Sequence, residues 1–276
     1  MSDNRLPTLW QIDVSHYSEK ARWALAWKGV EHRRHSPVPG AHMPVALWLT
    51  RGASYTFPIL SIDGRRVADS TEIIAVLERL YPEPPLYPTD PEERRRALEL
   101  EDFFDEELGP QIRQLAWYEL GRDREGFQAL MAEAAPGPMK KLPVAGAAYG
   151  RVFTRLRFRA GSAEDAQRNR AKVLAALDRL EAELGDGEYL AGERFTVADL
   201  TAASLFYPLV QPEEGPISEG ISARGFEEFR APLKERRGFA WVEEMFRRHR
   251  DPGRPVQPPP QRASRQPPIG ARGLAP

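Results

Sequence analysis

The apolar period of the chain changes once, and that change limits the fold more than any other feature. Ahead of the proline-rich stretch Pro82 to Pro91, short β-favouring runs are interleaved with helical patterns; beyond it the apolar spacing is 3.6 and stays there. Such a chain makes an α/β unit, residues 6–82, followed by an all-α unit, residues 91–250. At 276 residues it is long enough for two modest cores.

The first unit reads as strand, turn, helix over Thr8–Ile12 and Ser18–Lys28, where Ala21, Trp23, Ala24, Leu25 and Trp27 fall at helical spacing. Val30 to Ser36 holds a short second strand, and a loop rich in Pro and Gly runs from there to about Ala53. Phe57–Ile62, the turn Asp63-Gly64 and Arg65–Ala68 form a hairpin. Asp69-Ser70-Thr71-Glu72 then supplies cap-type residues for a helix that ends before Pro82. The order is βαβ, then ββα. In the second unit helices are expected near Pro91–Glu119, Arg124–Glu133, Ala163–Leu184, Val197–Leu209 and Gly238–Arg250.

Composition removes several functions. With no cysteine the chain can form neither a disulfide nor a mixed disulfide, and thiolate metal sites are excluded. A net charge of -1 gives no reason to expect nucleic acid. The N-terminus has no signal-peptide core and no apolar run reaches membrane-span length, so a cytoplasmic protein is expected. Residues 251–276, crowded with Pro, Gly, Arg and Gln, read as a disordered tail. The acid-free basic stretch from Pro136 to Gly161 reads as the solvated face of an irregular helix; contact of 138–159 with an anionic membrane surface is the less favoured reading.

Four motifs then converge. Ser15-His16-Tyr17-Ser18-Glu19-Lys20-Ala21-Arg22-Trp23-Ala24-Leu25 resembles the opening helix of glutathione transferases, in which a small polar residue or cysteine, a proline and an aromatic precede a basic-x-Arg-x-Ala-Leu run. Phe57-Pro58-Ile59-Leu60 is similar to the family's segment with a cis-proline, and Asp69-Ser70 to its acidic-Ser pair before the third helix. Gly192 to Asp199 looks like the family's Gly-x-x-x-Thr-x-Ala-Asp element. The sequence departs from the pattern at His16, where the family more often has proline. The resemblance implies a thioredoxin-like domain followed by a helical bundle, glutathione as co-substrate, no metal, and a homodimer.

On this resemblance Ser15 is the first candidate to activate the glutathione thiol and Ser18 its rival, while His16 and Tyr17 stand beside the ligand. Phe57 and Pro58 would pair with its cysteinyl part, and Asp69 and Ser70 with its γ-glutamyl end. The chemistry is consistent with this, because a strand that turns directly into a helix presents unpaired N–H groups and a positive dipole end to a thiolate. A small hydrophobic electrophile would enter between the domains near Phe103, Phe104, Ile112 and Trp117. A non-catalytic binding protein of the same fold, and a transferase using another low-molecular-weight thiol, are the alternatives. Thr196 and Asp199 form a capping box, with a structural role.

Overall fold

The computed structural model of the protein describes residues 6–37, 42–128, 162–216 and 223–250. Its first unit is a four-stranded mixed sheet in the order β2-β1-β3-β4. β1 (Thr8–Trp10) pairs in parallel with β2 (Arg33–His35) and antiparallel with β3 (Ile59–Ile62), which returns through Asp63-Gly64 into β4 (Arg65–Ala68). α1 (His16–Trp27) makes the β1–β2 crossover and α3 (Ser70–Leu80) follows the hairpin. With a helix between β2 and β3, this is the thioredoxin-like arrangement.

That helix, α2 (His42–Leu49), lies inside the stretch read from sequence as loop. Its residues are apolar all round, so no helical period stands out, and Pro44 occupies the first turn, where a missing N–H costs nothing. Ala46 and Leu49 pack with Phe57 and Ile59 into a small satellite core. Leu47 and Trp48 are left exposed.

Beyond the linker the chain is helical: α4 (Pro91–Phe103), α5 (Gly109–Arg122), α6 (Ala163–Leu184), α7 (Val197–Val210), α8 (Arg224–Arg230) and α9 (Arg237–His249). The helix expected over Pro91–Glu119 is in fact two, separated by a π-helical turn at Phe104–Leu108. The widened turn lies just ahead of Pro110, which has no N–H to return to the preceding turn. α8 and the 3₁₀ turn Ala231–Leu233 were not anticipated either, being short and bounded by no strong cap. Of the helix expected at Arg124–Glu133, residues 124–128 are helical; the rest, the basic stretch and the tail lie outside the described residues.

α7 is buried on nearly all sides and packs against α1, α4, α5 and α9, so one continuous core runs through both units. Its start is fixed by the capping box. Asp199 accepts from the N–H groups of Leu190 and Thr196 and from the Thr196 hydroxyl, all at 2.8 Å, and is fully buried. Asp199→Ala strands three buried donors, so it should lower unfolding free energy by roughly 3–5 kcal/mol in a urea titration. A loss under 1 kcal/mol would contradict this account.

Candidate active site

β1 ends at Trp10 and the chain reaches α1 within five residues, with Ser15 as its N-cap. The Ser15 Oγ accepts from the Ser18 N–H at 3.3 Å. Capping uses an oxygen lone pair and leaves the O–H free to donate. Ser18 is situated differently: it has no exposure, and its Oγ accepts from the Ile12 N–H at 3.2 Å, tying the β1 exit to the helix.

Ser15 and His16 open onto a small cleft between the two units. Ile12, Val14, Thr56 and Phe57 line it from the sheet side, His42 from the start of α2, and Arg113 and Trp117 from α5. Of the residues singled out in the sequence for the thiol site, Ser15, His16 and Phe57 meet here, while Tyr17, Ser18, Pro58, Asp69 and Ser70 are not in its lining. Trp117 faces the cleft, but Phe104 and Ile112 are core residues and Phe103 packs against that core. His42, Thr56 and Arg113 were missed. The first two fall near or inside the supposed loop, and the one sequence signal for Arg113 is its i,i+4 spacing from Trp117.

Tyr17 is committed elsewhere. Its hydroxyl donates to the Asp105 carbonyl at 2.7 Å, and burial holds its phenol above the usual range. Gly109 makes room for this contact, since a Cβ there would come within 2.1 Å of the Tyr17 oxygen. The His16 ring lies 4.5 Å from the Tyr17 ring, with its Nε2 buried and unpartnered. Burial and then the nearby Arg113 charge push His16 down to about 3, against the pull of the Gly109 carbonyl. It is therefore a neutral imidazole across the working pH range.

At the same end of the sheet as the β1 exit, since Ile59 pairs with Trp10, the Phe57–Pro58 peptide is cis and both residues are buried. Asp69 caps α3, accepting from the Thr71 N–H at 2.8 Å, and its φ of 81° is a conformation that few side chains other than glycine adopt. The Asp69 side chain is exposed and Ser70 is buried at the first turn. Among the described residues, no group of three or more His, Asp or Glu side chains could hold a metal, and no helix is long and apolar enough to cross a membrane.

Buried charges lock the base of α1. Lys20 Nζ meets Glu101 at 2.9 Å, Thr71 Oγ1 at 2.8 Å and the Asp105 carboxylate. Glu19 lies between Arg22 and Arg250; burial works against its ionisation, but the two guanidiniums hold its carboxyl below the ordinary value.

A thioredoxin-like unit is thus joined to a helical bundle, with a capped helix start facing the cleft between them. The models for the N-terminal and C-terminal domains of glutathione S-transferase match residues 9–85 and 110–230. The chain belongs to the glutathione S-transferase family. Among solved structures it is similar to the beta-etherase LigF from Sphingobium sp. strain SYK-6, with 21% identity and a TM-score of 0.57 over 87% of this chain and 99% of that one. A glutathione S-transferase from Methylobacterium radiotolerans in complex with glutathione sulfonate gives 23% identity and a TM-score of 0.53, covering 86% of this chain and 93% of that one. One from Rhodospirillum rubrum gives 20% and 0.52, covering 92% and 96%. At these identities the likeness is one of fold. No curated protein matches the chain.

The neutral His16 carries a linkage signature. In the unfolded chain it takes up a proton as pH falls through about 6.5, whereas the folded chain resists until about 3. Stability is therefore lost as pH falls through that window. Between pH 7 and pH 5 the wild type should lose about 2 kcal/mol more unfolding free energy than His16→Gln. Parallel pH profiles in urea denaturation would refute a buried neutral imidazole.

Proposed function

We propose that the protein is a glutathione transferase that holds the glutathione thiolate at the start of α1 and adds it to a small electrophile bound in the cleft. The observation that carries this reading is the Ser15 hydroxyl. It caps α1 with one lone pair, keeps its proton available, and lines the cleft together with Phe57. Ser18, by contrast, is sealed beneath the turn.

A free thiol of this kind has a pKa of about 8.5, so only a few per cent is ionised at neutral pH. A hydroxyl donating to the thiolate contributes roughly 1.5–3 kcal/mol, and the helix end roughly 0.3–1 kcal/mol more. Together they lower the thiol pKa by about one to two units. The thiol proton leaves to solvent; the sulfur then forms a bond to the electrophilic carbon while the leaving group departs with its electron pair. Neither a metal nor a protein base is needed for that sequence.

The remaining contacts follow the same plan. The Phe57 backbone would pair with the cysteinyl part like an added strand. Ser70 and the free N–H groups of α3 would take the γ-glutamyl carboxylate, and the exposed Asp69 its ammonium group. The reading includes a cytoplasmic homodimer. His16, at the position where the family more often has proline, favours a second reading, a binding protein that keeps the ligand but does not turn it over.

Two assays separate these. The protein should be retained on a glutathione resin and conjugate 1-chloro-2,4-dinitrobenzene, and Ser15→Ala should fold normally while losing roughly 10–100-fold in kcat/KM. Retention without turnover would favour the binding role. A fully active Ser15→Ala with a dead, folded Ser18→Ala would move the donor one turn along α1.

A further inference from the structure

Where the edge strand β2 meets α1 and the end of α9, guanidiniums outnumber the carboxylates that pair with them. Side chains alternate along β2, and His35 stacks on Trp10 with 4.7 Å between ring centres, on the face of the sheet that carries α2. Arg34 therefore points to the opposite face, toward Arg22 of α1 and Arg250. Partial desolvation first, then the like charges of Arg22 and Arg250, hold the Arg34 guanidinium below its ordinary value, against the weaker pull of Glu19 and Asp13. Both acids are already engaged. Glu19 takes the Nε of Arg22 at 2.6 Å and the Nε of Arg250 at 2.5 Å, while the Asp13 carboxylate accepts from the Gln11 amide and the Ser36 hydroxyl. Arg22 directs its other nitrogens to the Gln11 side chain and the Asp13 carbonyl. Arg34 donates only through Nε, to His32 Nε2 at 3.4 Å, and Arg250 only through Nε, to Glu19, so no described residue accepts from the terminal nitrogens of either.

We propose that Arg34 and Arg250 together bind the phosphate group of a small molecule. Two like charges held side by side repel until an anion joins them, and the guanidinium fork matches the oxygens of a phosphate. One such pair suits a single phosphate; a nucleic-acid backbone needs a run of cations. Both forks are set in advance. The His32 Nδ1–H donates to the Val30 carbonyl at 2.8 Å, which leaves Nε2 as the acceptor that orients Arg34. Glu19 fixes the Arg250 Nε, and the Trp23 indole, donating to the His249 carbonyl at 3.0 Å, fixes the end of α9 on α1. The site joins β2 of the first unit to α9 of the second, so it exists only in the folded chain and its ligand stabilises that joint. It is independent of the transferase reading, since neither arginine lines the cleft.

The test is a calorimetric titration of inorganic phosphate into the full chain, in sodium chloride at constant ionic strength so that screening does not change. Phosphate should bind with a Kd of roughly 0.1–1 mM, as expected for two partly exposed charge-assisted contacts. Arg34→Gln and Arg250→Gln, each checked for folding by circular dichroism, should weaken binding about tenfold or more. Arg34→Lys keeps the charge without the fork and should fall between wild type and Arg34→Gln. A wild type that does not bind phosphate above the chloride control overturns the proposal, as does binding that survives in either folded glutamine variant. Retention on a glutathione resin should be the same in wild type and Arg34→Gln. A folded Arg34→Gln that loses retention would show that the site is not separate from the cleft and would also overturn the proposal.

Discussion

The arrangement of the cleft depends on a lysine with no solvent. Lys20 is fully buried, and its ammonium reaches Thr71 at the start of α3, Glu101 on α4 and Asp105 in the π-helical turn. Burial alone would pull its pKa down, yet Asp105 and Glu101 together hold it above the ordinary value, so the cation persists. Removing one partner from such a cluster leaves a buried charge without compensation, which costs several kcal/mol. Three helices from both units are thus held by one charge on the second turn of α1.

The π-helical turn makes this possible. By widening the helix between α4 and α5 it brings Asp105 to α1 and α3: the carboxylate meets Lys20 of α1 and Thr71 of α3, and the carbonyl takes the Tyr17 hydroxyl. Gly109 follows at once and leaves room for the Tyr17 ring edge. The same turn sets the direction in which α5 departs, and so where Arg113 and Trp117 stand relative to Ser15. The two walls of the cleft are therefore positioned by a single junction, with the Glu19–Arg22–Arg250 cluster tying the far side of α1 to the end of α9.

Much of this was legible in the sequence wherever local signals and burial agreed. Ala163–Leu184 follows a serine cap and keeps its apolar stripe without interruption, and the structure has a helix over the same residues. Asp63-Gly64 between two β-favouring runs marks the hairpin, and Thr196-x-x-Asp199 marks the start of α7. What failed did so for physical reasons. α2 is apolar on every side and contains Pro44, so its pattern has no period to detect. The break at Phe104–Leu108 leaves the 3.6 spacing almost intact and is decided by where Pro110 and Asp105 fall in three dimensions. In the site, motif order pointed to Ser15, His16 and Phe57, which do line one cleft. Arg113, a single basic residue on a helix, becomes visible only once α5 is packed across from α1.

The central claim is that the start of α1 stabilises a bound thiolate through the Ser15 hydroxyl and the helix end. Ultraviolet absorbance of the thiolate, followed against pH with glutathione bound, reads that claim directly. The account predicts that the bound thiol titrates about one to two units below the ordinary value of about 8.5, and that Ser15→Ala returns it most of the way. A bound thiol that titrates near 8.5 in both proteins would contradict it.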